Sequence, residues 1–244
     1  MLHDTWTVFR KEWQELLDMT SGRSAVIRLL IWVAIFGVMF PLESGGAWLF
    51  TITPVVFWSW MAFFYVSSLS VSTIAGERER HTLETLLATR LPDAAILFGK
   101  VLASVAYGWG LVMVTYISAI VAINVAARGT GNGLQFYTPA VAIGGVLMSL
   151  FAGLLVAGLG VLISLRASST RQAQMTLYIV SVILFLPLVL SQSMPAVKAW
   201  ANRLVLGANT GSFVLVGSLV LLAGAGATVG AALARFRRSE LILD

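Results

Sequence analysis

Six apolar stretches recur along the chain, at about 25 to 42, 48 to 72, 101 to 126, 138 to 164, 174 to 192 and 212 to 234. A helix needs roughly 20 predominantly apolar residues to cross the hydrocarbon core of a bilayer, so each stretch is predicted as a transmembrane span. An amphipathic segment precedes them over residues 1–22. In it Trp6, Phe9, Trp13, Leu16 and Leu17 recur at helical spacing, with Arg10, Lys11, Gln14, Glu15 and Asp18 on the other side. That pattern predicts a helix lying in the headgroup region with its tryptophans at the interface; packing of the same face on a partner protein is the plainer alternative. The acidic and aromatic opening, LHDTWTVFRKEWQELLDMTSGRS, differs from the short basic start of a cleaved signal peptide, so cleavage is not expected. The expected fold class is all-α, with residues 1–244 as a single transmembrane domain.

Composition agrees. The chain is 58% hydrophobic and 11% charged, with a mean hydropathy of +0.89, which excludes a soluble domain because a water-facing surface needs more charge. Cysteine is absent, which removes disulfides, thiolate metal sites and thiol nucleophiles. The net charge of +5 comes from basic residues scattered between apolar runs, not gathered into a patch, so no nucleic-acid partner is expected. Their placement reads as topology. With both termini cytoplasmic, 13 of the 16 Lys and Arg fall inside and only Arg128, Lys198 and Arg203 outside, as the positive-inside rule requires.

The middles of the predicted spans contain no Asp, Glu, Lys or Arg, the residues that mark proton relays and ion pathways, so an ion-coupled pump is poorly supported. Both histidines, His3 and His81, lie outside the spans, which leaves no Ser-His pair at depth and no ligand set for zinc. The spans do carry small residues. Gly145, Ser149, Gly153 and Ala157 stand at four-residue spacing in the fourth, and Gly226 and Gly230 in the sixth. Such spacing lets helices approach closely, within one chain or across a homodimer. Pro54 and Pro187 are expected to interrupt spans two and five. Trp60, Tyr65, Tyr107 and Tyr116 are candidates to face a substrate pathway.

Charge is concentrated instead in residues 76–100, GERERHTLETLLATRLPDAAILFGK, between spans two and three. Leu83, Leu86, Leu87 and Leu91 form one stripe of a short helix, which Thr82 can cap and Glu84 favours through the helix dipole; Pro92 and Asp93 end it. A helix of roughly two to three turns is not stable alone in water, so it must lean on the cytoplasmic helix ends or on a partner. Glu77, Arg78, Glu79 and Arg80 alternate in sign and offer pairing positions at little net charge.

These residues resemble the signature of the ATP-binding-cassette (ABC) export permeases of the second type. The acidic-basic run is Glu77 to Arg80, followed by Thr82-Leu83-Glu84, then Leu86-Leu87, then Gly99-Lys100 opening the third span. The chain departs from the pattern at His81, where the family usually has Gly, and at Thr89-Arg90, where it usually has Thr-Pro. In outline the resemblance takes in the amino-terminal helix, the six spans and an outer segment, residues 193–211, with Val197, Trp200, Ala201 and Leu204 on one side. It implies a multi-pass permease in a prokaryotic cytoplasmic (inner) membrane, surrounded by lipid and pairing with a second permease copy. It also implies coupling to an ATPase through Glu77 to Arg80, Thr82 to Glu84, Leu86, Leu87 and Lys100. The ATPase is expected to be a separate P-loop subunit carrying ATP and Mg, because no G-x-x-x-x-G-K-[ST] occurs here and Lys100 is followed by Val101. No catalytic residue, metal or cofactor is expected in this chain. The haem-export branch of cytochrome maturation and a non-transporting scaffold are the alternatives. Export comes from the resemblance, and the uncharged interior suits drugs, lipids, peptides, antibiotics or a hydroxyl-lined ion route.

Overall fold

The computed structural model describes residues 1–79, 91–128, 133–167, 169–193 and 210–235, and every regular element among them is helical. They form α1 (Leu2–Ser21), α2 (Arg23–Leu49), α3 (Thr53–Glu79), α4 (Asp93–Ala126), α5 (Pro139–Ser164), α6 (Thr170–Ser193) and α7 (Thr210–Arg235). Among the described residues, five helices are long and apolar enough to cross a membrane: α2, α3, α4, α5 and α7. The stretch expected as span five lies in α6, a helix of 24 residues that is not one of the five. Its ends are polar, with Thr170, Arg171, Gln172 and Gln174 at one and Ser191, Gln192 and Ser193 at the other.

Proline placement explains several boundaries. Pro54 lies in the first turn of α3, and Pro139 opens α5 behind Thr138; there the missing N–H costs nothing. The second span therefore starts at Thr53, not at about 48, and Pro54 begins it where an interruption was expected. The helix α6 continues across Pro187 to Ser193, so the second expected break is also absent. Pro92 is the N-cap of α4 and Asp93 stands in its first turn, which moves the start of the third span from about 101 back to Asp93. Since α3 runs on to Glu79, the segment expected as a loop over residues 76–100 is helical at both ends. Its middle, residues 80–90, lies outside the described residues, as does most of the outer segment expected at 193–211.

The span α2 changes pitch along its length. It is α-helical over Arg23–Trp32, π-helical over Val33–Met39, α-helical over Phe40–Ser44 and 3-10 over Gly45–Leu49. The Phe40 N–H bonds to the Ile35 carbonyl, one residue beyond the α-helical partner. A wide turn just before Pro41 accommodates the lost donor and the ring of that proline. Within it Gly37 is buried, and a Cβ there would stand 3.1 Å from the Ser118 Cβ and 3.2 Å from the Thr115 carbonyl oxygen. This is where α2 meets α4 most closely. Gly45, at φ 60, then turns the chain toward α3.

α5 is the central helix, packed on both α3 and α7. Its small-residue stripe serves packing within the chain: Gly145 faces the Tyr116 ring, Ser149 accepts a 3.1 Å hydrogen bond from Trp109 Nε1, and Gly153 lies against Val66. Gly226 and Gly230 of α7 face open space. Two cores result. One, around Val66, Ile96, Val101, Val156 and Leu177, lies at the end where α1 packs; the other, around Trp48, Trp58, Tyr116, Tyr137 and Met148, lies at the opposite end. Asn124 ties the second end together, donating to the Gln135 carbonyl and accepting from the Gln135 N–H at 2.7 Å. Exposed Val114, Ile117, Val121 and Val125 on α4 and Leu215, Leu219 and Val220 on α7 present the apolar surface that a bilayer requires.

Candidate functional site

α1 packs along the first turns of α4 through Val8, Glu12 and Leu16, a buried stripe at four-residue spacing. Trp6 and Leu17, expected on the apolar face, are exposed, while Trp6, Phe9 and Trp13 stack on one another beside the stripe. The approach depends on Gly99, where a Cβ would lie 2.6 Å from the Val8 Cβ and 3.1 Å from the Phe9 nitrogen. The next residue, Lys100, is thereby carried under α1 and is 2% exposed.

An unpaired ammonium at this depth would be strongly destabilising. Lys100 Nζ instead donates to Glu12 Oε1 at 2.7 Å and to Glu77 Oε1 at 2.8 Å, which joins α1, α3 and α4 at one atom. Lys11 Nζ stands 3.8 Å from Glu12 and 3.9 Å from Glu77, so two ammonium groups balance two carboxylates, and a 3.1 Å contact adds Glu15. Burial pulls the Lys11 ammonium down, but the carboxylates of Glu15, Glu12 and Glu77 outweigh it and hold its pKa above the usual lysine value. Beside this cluster Glu79 accepts hydrogen bonds from the Thr170 N–H at 2.8 Å and the Thr170 hydroxyl at 2.7 Å. It satisfies one of the unpaired donors at the start of α6. A polar cavity of about 270 Å³ lies between the two arrangements, lined among others by Glu12, Glu77, Glu79, Lys100, Thr170 and Gln174.

Of the residues expected to couple to an ATPase, Glu77, Glu79 and Lys100 therefore meet at one end of the bundle, in contacts with their own chain. Arg78 lies in the last turn of α3. Arg80, Thr82, Leu83, Glu84, Leu86 and Leu87 lie outside the described residues. The four aromatic pathway candidates do not converge. Tyr65 and Tyr107 line a second cavity, of about 210 Å³, with Arg28 and Trp32. Tyr116 is buried in the opposite core, its ring centroid 4.5 Å from that of Tyr137. Trp60 stands half-buried near Phe57.

The sequence reading missed Glu12 and Thr170. Glu12 was legible as the one carboxylate at the centre of the Val8–Leu16 stripe, but the tryptophans drew the apolar face to one side of it. No local pattern points from Glu79 to Thr170, since the bond joins residues 91 positions apart. Among the described residues no group of His, Cys, Asp or Glu has an arrangement suited to a metal ion.

No curated protein matches the chain. Residues 61–241, from within α3 past the end of α7, match the family described as ABC-2 family transporter protein. The matched range holds the charged segment, Lys100 and the central helix α5, the parts that organise the bundle just described. The chain therefore belongs to the ABC-2 family of transporter permeases.

Proposed function

We propose that this membrane permease is the translocating half of an ATP-driven exporter, acting as a homodimer with two copies of a separate P-loop ATPase in a prokaryotic cytoplasmic membrane. In this reading α6 counts as a span, which gives six, and both termini are cytoplasmic. The observation that carries the proposal is the Glu12–Lys100–Glu77 cluster. It clamps together the two helices that flank residues 80–90, at the end of the bundle where an ATPase would dock.

The coupling follows from that clamp. ATP binding closes the two ATPase subunits, and the segment around Thr82 to Ala88, with Leu83, Leu86 and Leu87 in a groove of the ATPase, moves with them. The displacement enters α3 and α4 together, because Lys100 holds Glu77 across the pair. It reaches α1 through Glu12 and α6 through Glu79. Nucleotide binding then shifts the population between inward-open and outward-open arrangements. Glu77 and Glu79 serve in this scheme as internal ties, and the leucines with Glu84 are the surface offered to the partner.

Leu86→Asp or Leu87→Asp, each placing a charge in the proposed groove, should leave membrane insertion intact. Each should lower recovery of the P-loop ATPase that co-purifies with the wild type from its source membranes by about tenfold or more. Full co-purification and wild-type transport in both variants would exclude docking through this segment.

A further inference from the structure

The part of α2 before its π-helical turn stands away from the bundle. None of the residues Arg23–Trp32 is buried, and the close packing on α4 begins in the π-helical turn, at Gly37. Beneath it lies the open cavity of about 210 Å³, lined also by α3, α4 and Thr20 of α1. Trp32 forms part of its wall, its ring centroid 5.3 Å from that of Phe64 and 6.3 Å from that of Tyr65. Leu29, Leu69 and Leu111 supply apolar walls. Five polar residues also line it: Thr20 and Ser68, whose hydroxyls donate to carbonyls of their own helices, and Arg28, Tyr65 and Tyr107. Among the described residues Arg28 forms no ion pair, and neither tyrosine hydroxyl has a hydrogen-bond partner. One cation and two phenols thus line an apolar, aromatic pocket without a partner among the described residues. That is the composition of a ligand site.

We propose that this crevice binds a membrane amphiphile with an anionic head and a single hydrocarbon tail, drawn sideways from the lipid. The head is anionic because Arg28 is the charge at the rim and both tyrosine hydroxyls can donate to an oxyanion; basic pockets between transmembrane helices hold acidic headgroups in this way. The tail lies along Trp32, Leu29 and Leu111. One tail is the limit, since about 210 Å³ falls below the roughly 300–1,000 Å³ of ordinary small-molecule pockets. The source is the bilayer because the other face of the same helical segment, Val26, Ile27, Leu30 and Ile31, is exposed and apolar, which sets the segment against lipid. The proposal rests on the function proposed above only in taking the crevice to open on the cytoplasmic leaflet.

The test uses the full chain in phosphatidylcholine nanodiscs with two photoreactive probes of identical tail, lysophosphatidylglycerol and lysophosphatidylcholine. Adducts of the glycerol probe should concentrate on the Tyr65 to Leu69 and Tyr107 to Leu111 stretches. Labelling there should fall roughly fivefold with the choline probe or in Arg28→Gln, the worth of one cation near an acidic headgroup. Ala25→Leu, which narrows the crevice while keeping Arg28, should also reduce it, at an unchanged thermal midpoint. Equal labelling by the two probes, indifference to both substitutions, or adducts as dense on Ile117 and Leu219 as in the crevice would overturn the site. No ATPase takes part in this measurement. Its failure therefore leaves the exporter reading standing, and loss of coupling in the leucine variants leaves the site standing.

Discussion

Lys100 shows how one residue can carry a constraint that three helices share. Removing it by Lys100→Ala leaves the largely buried carboxylates of Glu12 and Glu77 with only the longer contacts to Lys11, and breaking a buried pair this way costs up to about 3–5 kcal/mol. The expected result is a markedly lower unfolding midpoint in detergent, followed by tryptophan fluorescence. Neutralising all three positions together, as Glu12→Gln, Lys100→Met and Glu77→Gln, should recover most of the loss, because an apolar replacement of a buried ion pair is often neutral or better. A fully stable Lys100→Ala would show that the ammonium does not hold these helices. Lys11 behaves differently with pH. Its raised pKa means that its share of stability is present below the ordinary lysine value of 10.5 and is lost only as pH rises through the higher folded value. It therefore gives no response near neutrality. The sequence made Lys100 stand out through the Gly99-Lys100 pair but could not name Glu12, because the bond spans 88 positions and spacing rules see only neighbours on one helix.

At the level of elements, Gly99 decides whether α1 belongs to the bundle. Gly99→Ala places a methyl group 2.6 Å from the Val8 Cβ, so α1 must shift, at a cost of about 1–3 kcal/mol for overpacking. Amide exchange should rise throughout Leu2–Ser21 while the middle of α5 stays protected; unchanged exchange in α1 would contradict the packing described here. Most helices were legible from the sequence, since apolar runs of this length have few other forms in a bilayer. Their ends were less so. Pro54 opens a helix where a break was expected, and Pro92, expected to end the short helix before it, caps the start of α4. The difference depends on which side of the proline continues as helix. The side of α1 that packs on α4 was also less legible. Tryptophan is a strong signal for an interface and a weak one for the side that is buried, and Val8 was the quieter guide.

For the whole molecule, the decisive question is which side of the membrane holds the charged end. Single cysteines at Thr130 and Asn209 should react with an impermeant maleimide from outside intact cells, and one at Thr85 only after the cells are opened. The opposite pattern would reverse the orientation inferred from the distribution of Lys and Arg. The charge asymmetry of the sequence, with 13 of 16 Lys and Arg on one side, is what this measurement puts to the test. The tie between α3 and α6 was not legible, since Glu79 and Thr170 meet only once the bundle has assembled.

The wide turn in α2 has a mechanical consequence. A rod packed tightly at one crossing and held lightly along one arm, here by Trp32 against Phe64 and Tyr65, moves most cheaply by pivoting about that crossing. The arm from Gly37 back to Arg23 is about 20 Å long, so a tilt of about 10° would carry its tip about 4 Å. The closely packed helices α3, α5 and α7 have no comparable freedom, because any displacement of one must displace its neighbours. The first span is thus hung like a door leaf, with its hinge at Gly37 and Thr115 and its lightly held edge at the junction with α1.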